Sequence, residues 1–157
     1  MKPERVDILL VCSSGGHLLQ LSSLADAWSG YSRAWVTNDQ SDARSLLAGE
    51  DAAFLPGPFS RSPTAFLRNL AAALRCLPRI RPAVLITTGA DIAVPFAWVG
   101  RLFGARVVYV ESLTRLDDLS LSGRLIAPVA DRMYVQWPEL QRVRPHSVYA
   151  GSVLSDP

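Results

Sequence analysis

Short apolar runs alternate along the chain with segments in which apolar residues recur every three or four positions. The runs are rich in β-branched residues and apolar throughout, which is typical of parallel strands that are covered on both faces. The segments between them have the period of amphipathic helices. We predict strands over Val6–Cys12, Arg33–Thr37, Ala52–Leu55, Ala83–Thr87, Arg106–Val110 and Arg132–Val135. We predict helices over His17–Trp28, Ser41–Ala48, Pro63–Leu77, Ile92–Phe103 and Leu121–Pro128.

This alternation of strands and helices predicts one α/β domain over residues 1–157, built on a single Rossmann-like, doubly wound parallel sheet. The length suits one compact domain, and no repeat or linker divides the chain. The longest apolar window, Ile92–Gly100, is much shorter than a membrane span, and the first apolar run is too short for a signal peptide. We therefore predict a protein that is neither transmembrane nor secreted.

The composition narrows the class of protein further. An apolar content of 49% predicts a globular core, and a net charge of +2 gives no reason to expect a nucleic-acid partner. The two cysteines, Cys12 and Cys76, have neither metal-binding spacing nor enough partners for a disulfide framework. We predict reduced core thiols in a cytoplasmic protein, with no metal site and no cofactor.

Polar residues follow three of the predicted strands at the point where each strand ends. Because ligands bind beyond the carboxyl ends of strands in open parallel sheets, these three segments predict one binding cleft. The segments are Ser13–His17, Thr87–Asp91 and Glu111–Arg115. The candidate site residues within them are Ser14, Gly15, Gly16, His17, Thr88, Gly89, Asp91, Glu111, Ser112 and Arg115.

The first of these segments combines two glycines with a histidine. Gly15 and Gly16 permit close approach of a ligand, the following helix start favours an anion, and His17 has the chemistry to accept a proton. A tight strand–helix turn that His17 caps explains the same residues equally well. The G-x-G-x-x-G spacing is missing, so a dinucleotide site is weakly supported, and a P-loop is excluded because no Gly-Lys-Ser/Thr occurs.

Two acidic residues of the other segments have both a structural and a functional interpretation. Glu111 follows an apolar strand directly, where a carboxylate needs either a partner such as Arg115 or a role in chemistry. Asp91 has the position either of a substrate-binding residue or of an acid that interacts with the dipole of the next helix.

The predicted helix over Pro63–Leu77 has an arginine stripe. On a helical wheel the stripe is opposite an apolar face that we predict to be core, and no acidic residue occurs between Ala52 and Ala90. A solvated stripe and contact with anionic lipid headgroups both remain open, with Arg61 and Arg81 at its two ends. The stripe consists of Arg68, Arg75 and Arg79, and the apolar face of Phe66, Leu67, Leu70, Leu74 and Leu77.

Four segments together resemble a known family. They are Val11–His17, Thr87–Pro95, Tyr109–Ser112 and Ala130–Trp137. In this order they resemble the bacterial PssD/CpsF polysaccharide-biosynthesis proteins. Those are similar to the membrane-recruiting subunit of the eukaryotic N-acetylglucosaminyltransferase that adds the second sugar to dolichol-linked chains, and to the amino-terminal half of MurG.

The resemblance implies the amino-terminal half of a GT-B glycosyltransferase that acts in exopolysaccharide or capsule biosynthesis. This half would bind a polyprenyl-diphosphate-linked saccharide at the inner face of the cell membrane, and a separate subunit would bind the UDP-sugar. Gly15 and Gly16 would approach the acceptor diphosphate or the donor site of the partner. His17 and Glu111 would be the catalytic candidates. The alternatives are a non-catalytic scaffold that docks its partner at the membrane and, more distantly, a nucleotide-dependent enzyme that acts alone.

Overall fold

A computed structural model describes residues 5–57 and 62–153, which form one seven-stranded sheet with helices on both faces. Every strand pairing is parallel, and the strands lie in the order β3-β2-β1-β4-β5-β6-β7. The strands are β1 Ile8–Cys12, β2 Arg33–Asn38, β3 Ala52–Leu55, β4 Val84–Gly89, β5 Arg106–Val110, β6 Arg132–Val135 and β7 Val148–Tyr149. The doubly wound parallel sheet predicted from the sequence is confirmed.

Six α-helices connect the described strands. They are α1 Gly16–Ser22, α2 Ser41–Leu46, α3 Pro63–Ile80, α4 Ala93–Leu102, α5 Leu121–Ile126 and α6 Pro138–Val143. Short 3-10 turns follow α1 and α5, at Ala25–Ala27 and Ala127–Val129. None of the described helices is long and apolar enough to cross a bilayer.

The apolar strands contribute to a core on each face of the sheet, because successive side chains of a strand point to opposite faces. Leu9 and Val11 of β1 belong to the cluster that includes residues of α3 and α4. Leu10 and Cys12 belong to the cluster that includes residues of α1 and α2. Burial on both faces explains why β1 is apolar throughout.

The first helix is shorter than the predicted His17–Trp28. It ends at Ser22, and the chain reaches Trp28 through a 3-10 turn. The indole Nε1 of Trp28 donates a hydrogen bond to the Leu21 carbonyl (3.1 Å), and its ring packs edge-on against Trp35. Trp28 is therefore buried, although no continuous helix carries it there.

The apolar face predicted for the third helix is wrong for most of its residues. The buried face of α3 is made of Ala65, Asn69, Ala73, Leu77 and Ile80, so only Leu77 of the predicted face is fully buried. Phe66, Leu67 and Leu74 are 44%, 63% and 47% exposed. Small side chains allow the helix to approach its neighbours closely, and α3 packs against α4. The larger residues are left on the outer side.

Only part of the predicted arginine stripe is exposed. Arg75 and Arg79 are exposed, whereas Arg68 is half-buried and its guanidinium donates to the Gly57 carbonyl. Arg61 lies outside the described residues. Of the predicted stripe, the structure therefore leaves Arg75 and Arg79 on the surface.

Candidate functional site

The carboxyl ends of β1, β2, β4 and β5 open into a cleft of about 610 Å³. Its wall carries hydroxyl, carboxylate, amide, imidazole and guanidinium groups from the strand ends and from the starts of α3 and α5, together with apolar side chains that come mostly from α3, α4 and α5. The polar wall residues are Ser13, Ser14, His17, Asn38, Ser62, Asp91, Ser112, Thr114, Arg115, Ser120 and Ser122. The apolar ones are Pro63, Phe66, Ala90, Val94, Leu121 and Leu125.

Five of the residues predicted for the site lie on the wall of this cleft. The structure brings together Ser14, His17, Asp91, Ser112 and Arg115. It does not bring the other predicted residues to the wall. Those are Gly15, Gly16, Thr88, Gly89 and Glu111. Gly15 and Gly16 are exposed where β1 leads into α1, Thr88 and Gly89 end β4, and Glu111 is fully buried.

His17 is held by a pair of reciprocal hydrogen bonds. Its Nδ1 lies 2.7 Å from the Thr88 carbonyl oxygen, and the Thr88 hydroxyl donates to the His17 carbonyl (2.8 Å). A carbonyl only accepts, so Nδ1 carries the proton of the neutral ring and Nε2 keeps its lone pair. The imidazole is thereby fixed at the cleft wall in the tautomer that a proton acceptor requires.

The glycine turn before His17 offers fewer free backbone N–H donors than the sequence indicates. Gly15 has φ +75°, a conformation that favours glycine, so the turn itself requires this residue. Its N–H donates to the carboxylate of Asp42 at 2.8 Å. One backbone donor that we expected to face a ligand anion is thus used by an acid of α2.

The turn after β4 is strained. Gly89 and Ala90 both have positive φ, +99° and +73°, and the latter is costly for a residue with a Cβ. A Cβ on Gly89 would lie 3.0 Å from the Tyr109 hydroxyl. The next residue, Asp91, uses Oδ1 to accept from the Ile92 N–H (2.9 Å), so it also begins the approach to α4.

Glu111 is the centre of a buried hydrogen-bond network. Oε1 accepts from the Tyr109 hydroxyl (2.9 Å) and the Ser112 N–H (2.8 Å), and Oε2 accepts from the N–H and hydroxyl of Ser120 (2.8 and 3.1 Å). These donors, and not Arg115, satisfy the carboxylate. Burial and the neighbouring negative charge of Glu111 raise the pKa of Tyr109, which keeps its hydroxyl protonated as a donor. Glu111 therefore fixes the loop that carries Ser112 and Ser120.

The hydrogen bonds of Gln136 and Trp137 account for the polar groups in the segment Val135-Gln136-Trp137. Its buried amide donates to the Glu111 carbonyl and to Gln20 of α1 (both 2.9 Å), and it accepts from the Val153 N–H (3.0 Å). The Trp137 indole donates to the Leu113 carbonyl (2.7 Å). This segment supports the back of the cleft and is not part of its wall.

The cysteines provide no reactive thiol at the site, and the described acidic residues form no metal site. Burial raises the pKa of the Cys12 thiol to about 12 and that of Cys76 to about 11, so both are inert at neutral pH. No group of three or more His, Cys, Asp or Glu residues is placed to hold a metal ion in the part of the chain that the structure describes.

Asn38 is a wall residue that the sequence analysis missed. It ends β2, is 3% exposed and lines the cleft. The signal was present, because a polar residue directly after an apolar strand is the criterion that identified the other segments. The apolar wall residues had no such signal, since an amphipathic pattern does not tell which apolar side chains face a cleft.

Comparison with known proteins identifies relatives over almost the whole chain. A family model described as "Oligosaccharide biosynthesis protein Alg14 like" matches residues 55–153. The UDP-N-acetylglucosamine transferase subunit ALG14 of Candida albicans is 28% identical in an alignment 176 positions long, which covers 96% of this chain and 80% of that protein. The Homo sapiens subunit of the same name is 28% identical in an alignment 182 positions long, which covers 96% of this chain and 84% of the human protein.

Solved structures show the same fold. MurG of Acinetobacter baumannii superposes with a TM-score of 0.74 at 16% identity, over 96% of this chain and 47% of MurG. The UDP-N-acetylglucosamine 2-epimerase of Rickettsia bellii superposes with a TM-score of 0.73 at 12% identity, over 94% and 45%. The chain thus spans slightly less than half the length of each.

Proposed function

This chain belongs to the Alg14-like family of oligosaccharide biosynthesis proteins, and we propose that it is the acceptor-binding subunit of a two-component glycosyltransferase. A separate subunit holds the UDP-sugar, as expected if residues 1–157 supply one half of a GT-B enzyme. The acceptor is a polyprenyl-diphosphate-linked saccharide of exopolysaccharide or capsule biosynthesis. The subunit works from the cytoplasm at the inner face of the cell membrane.

The observation that carries this proposal is the mixed character of the cleft. His17 presents a free Nε2 lone pair at a wall that also holds the cation Arg115 and several hydroxyls. The wall also includes Phe66, Leu121 and Leu125, which are 44–53% exposed. An acceptor that joins a sugar and a diphosphate to a hydrocarbon chain needs both kinds of surface. In this proposal the polyprenyl chain leaves the cleft over the three apolar side chains.

The diphosphate is expected to bind at Arg115. Its guanidinium is exposed at the cleft wall, and charge-assisted hydrogen bonds to phosphate are stronger than neutral ones. Arg115→Gln should therefore weaken binding of farnesyl diphosphate to the isolated chain roughly tenfold, measured by calorimetry. Arg142→Gln, on exposed α6, is the matched control and should change nothing. Equal affinities of wild type and Arg115→Gln would contradict the assignment.

Contact with the membrane is proposed for the outer side of α3. Leu67 and Leu74 expose apolar surface there, and Arg75 and Arg79 are exposed on the same helix. An amphipathic helix of this composition binds an anionic membrane with its apolar side chains in the interface and its arginines on the headgroups. Arg68 is not included, because it is half-buried with its guanidinium on the Gly57 carbonyl. Arg79 also donates to a carbonyl, that of Arg75 one turn earlier, but its side chain is exposed.

Reversing both exposed charges should detach the protein from anionic vesicles. Arg75→Glu with Arg79→Glu is expected to weaken binding roughly 30-fold or more at low salt, and the wild-type binding itself should decrease as salt is added. Sedimentation with vesicles that contain phosphatidylglycerol measures this. Arg132→Glu with Arg142→Glu makes the same charge change on β6 and α6. If both double variants sediment equally, α3 is not the membrane surface.

A further inference from the structure

The side chain of Asn38 is buried at the cleft wall without a partner. It is 3% exposed, and its amide makes no hydrogen bond within the part of the chain that the structure describes. The same holds for the hydroxyls of Ser13 and Ser14, which follow the neighbouring strand β1 and are half-buried at the same wall. Buried polar groups are normally hydrogen-bonded, so the nearly buried amide of Asn38, beside two hydroxyls at the same wall, indicates a ligand with several hydrogen-bonding groups.

The described charges near these residues favour a neutral ligand over a phosphate. Arg44 is the nearby cation of α2, but Asp39 binds its guanidinium through two hydrogen bonds of 2.6 and 2.9 Å. Asp42 then adds a carboxylate that is bonded to the Gly15 N–H. Among the charged side chains described near Asn38 and Ser14, one carboxylate is therefore in excess, which disfavours a diphosphate there. Asparagine and serine both donate and accept, as sugar hydroxyls do.

The order of the strands separates this end of the cleft from Arg115. Asn38 ends β2 and Arg115 follows β5, and β1 and β4 lie between these two strands. Three strand spacings correspond to about 14 Å along the edge of the sheet. That distance accommodates a sugar ring beside a diphosphate.

We propose that Asn38, Ser13 and Ser14 form a subsite for a neutral, hydroxylated sugar ring of the acceptor. This inference rests on the proposed function, and it places the diphosphate at Arg115 and away from the Gly15–Gly16 turn. Asn38 is then a specificity-determining residue, because it distinguishes an acceptor that carries a sugar from the bare lipid diphosphate.

The test compares two probes on the isolated chain by calorimetry: farnesyl diphosphate and farnesyl-diphosphate-linked N-acetylglucosamine. Wild type should bind the sugar-linked probe more tightly. Asn38→Ala should remove roughly 5- to 10-fold of that gain and leave the affinity for farnesyl diphosphate unchanged. Asn38→Asp keeps the shape and one acceptor oxygen but loses the NH₂ donor, so it should also reduce the sugar-dependent gain, while the affinity for farnesyl diphosphate stays within about threefold.

Each other result overturns the subsite. Asn38→Ala that weakens both probes equally, or neither, contradicts it, and so does a large loss for both probes in Asn38→Asp. Wild type that gains nothing from the sugar refutes the subsite but leaves the acceptor-binding function standing. Wild type that binds neither probe refutes both. Ser14→Ala, in the turn after β1, should reduce the sugar-dependent gain and gives a second readout if thermal melting shows that the Asn38 variants are unstable.

Discussion

His17→Ala is expected to lower the turnover of the reconstituted two-subunit enzyme by roughly 10²-fold or more, with the chain still folded. The ring sits at the cleft wall with Nδ1–H bound to the Thr88 carbonyl, and in the proposed reaction Nε2 accepts a proton from the attacking hydroxyl of the acceptor. The substitution leaves the backbone of the turn in place. Only the bond from the ring Nδ1 is lost, because the Thr88 hydroxyl still donates to the backbone carbonyl of residue 17, so the free energy of unfolding should decrease by only about 1 kcal/mol.

The second histidine of the chain provides the control for this variant. His146 is exposed and does not line the cleft, so His146→Ala should have wild-type turnover. Turnover, melting temperature and co-purification with the partner subunit are measured for both variants. A loss below about tenfold in His17→Ala would assign His17 to orienting the acceptor instead of moving a proton. Full activity of His17→Ala would show that this turn has only a structural role, and it would favour the hypothesis of a non-catalytic scaffold.

Glu111→Gln is expected to destabilise the fold more than any other conservative change at this edge of the sheet. The carboxylate accepts four hydrogen bonds in a fully buried position. An amide replaces one of the accepting oxygens by an NH₂ group, which then faces donors that it cannot satisfy. The expected loss is about 2–3 kcal/mol in the free energy of unfolding, measured by urea denaturation.

Two further variants distinguish a structural role of this hydrogen-bond network from a role of Glu111 in the reaction. Glu139→Gln makes the same chemical change on the exposed surface of α6 and should leave the stability unchanged. Gly123→Ala places a Cβ in steric overlap with Oε2 of Glu111, so it should destabilise the fold through the same network. If Glu111→Gln kept wild-type stability and lost turnover, Glu111 would act in the reaction and its structural role would be refuted.

The strands were predictable because burial on both faces makes them apolar throughout. The observed β3, β5 and β6 have the predicted bounds, and β1 begins two residues later than predicted. The last strand, Val148–Tyr149, has two exposed residues, and the helix before it has six, so neither gave a periodic signal. The predicted alternation was sufficient for the fold class without them.

The orientation of α3 was not predictable from its helical wheel. A wheel places the largest apolar residues inside, whereas α3 turns Ala65, Asn69 and Ala73 inward and keeps Leu67 and Leu74 outside. Close packing against α4 selects the small side chains, and that preference depends on the neighbouring helix rather than on α3 itself. The same rotation ties Arg68 to the Gly57 carbonyl, which the sequence does not indicate.

The site was predictable where a polar residue follows a strand. This rule identified His17, Asp91 and Arg115 before the structure showed that they share a cleft. It did not distinguish a side chain that faces the cleft from one that turns back into the protein, as Glu111 does. That difference depends on Ser120 and Tyr109, whose contacts with Glu111 are set by tertiary packing.

Division of the reaction between two subunits is tested most directly by a transfer assay on the purified chain. Transfer of labelled sugar from UDP-N-acetylglucosamine to a farnesyl-diphosphate-linked acceptor is measured with the chain alone and after its donor-binding partner is added, and calorimetry measures binding of the UDP-sugar to the chain alone. We predict no transfer and no submicromolar binding of the UDP-sugar without the partner, and transfer when both subunits are present. Transfer by the chain alone, or submicromolar binding of the UDP-sugar to it, would contradict its assignment as the acceptor-binding subunit.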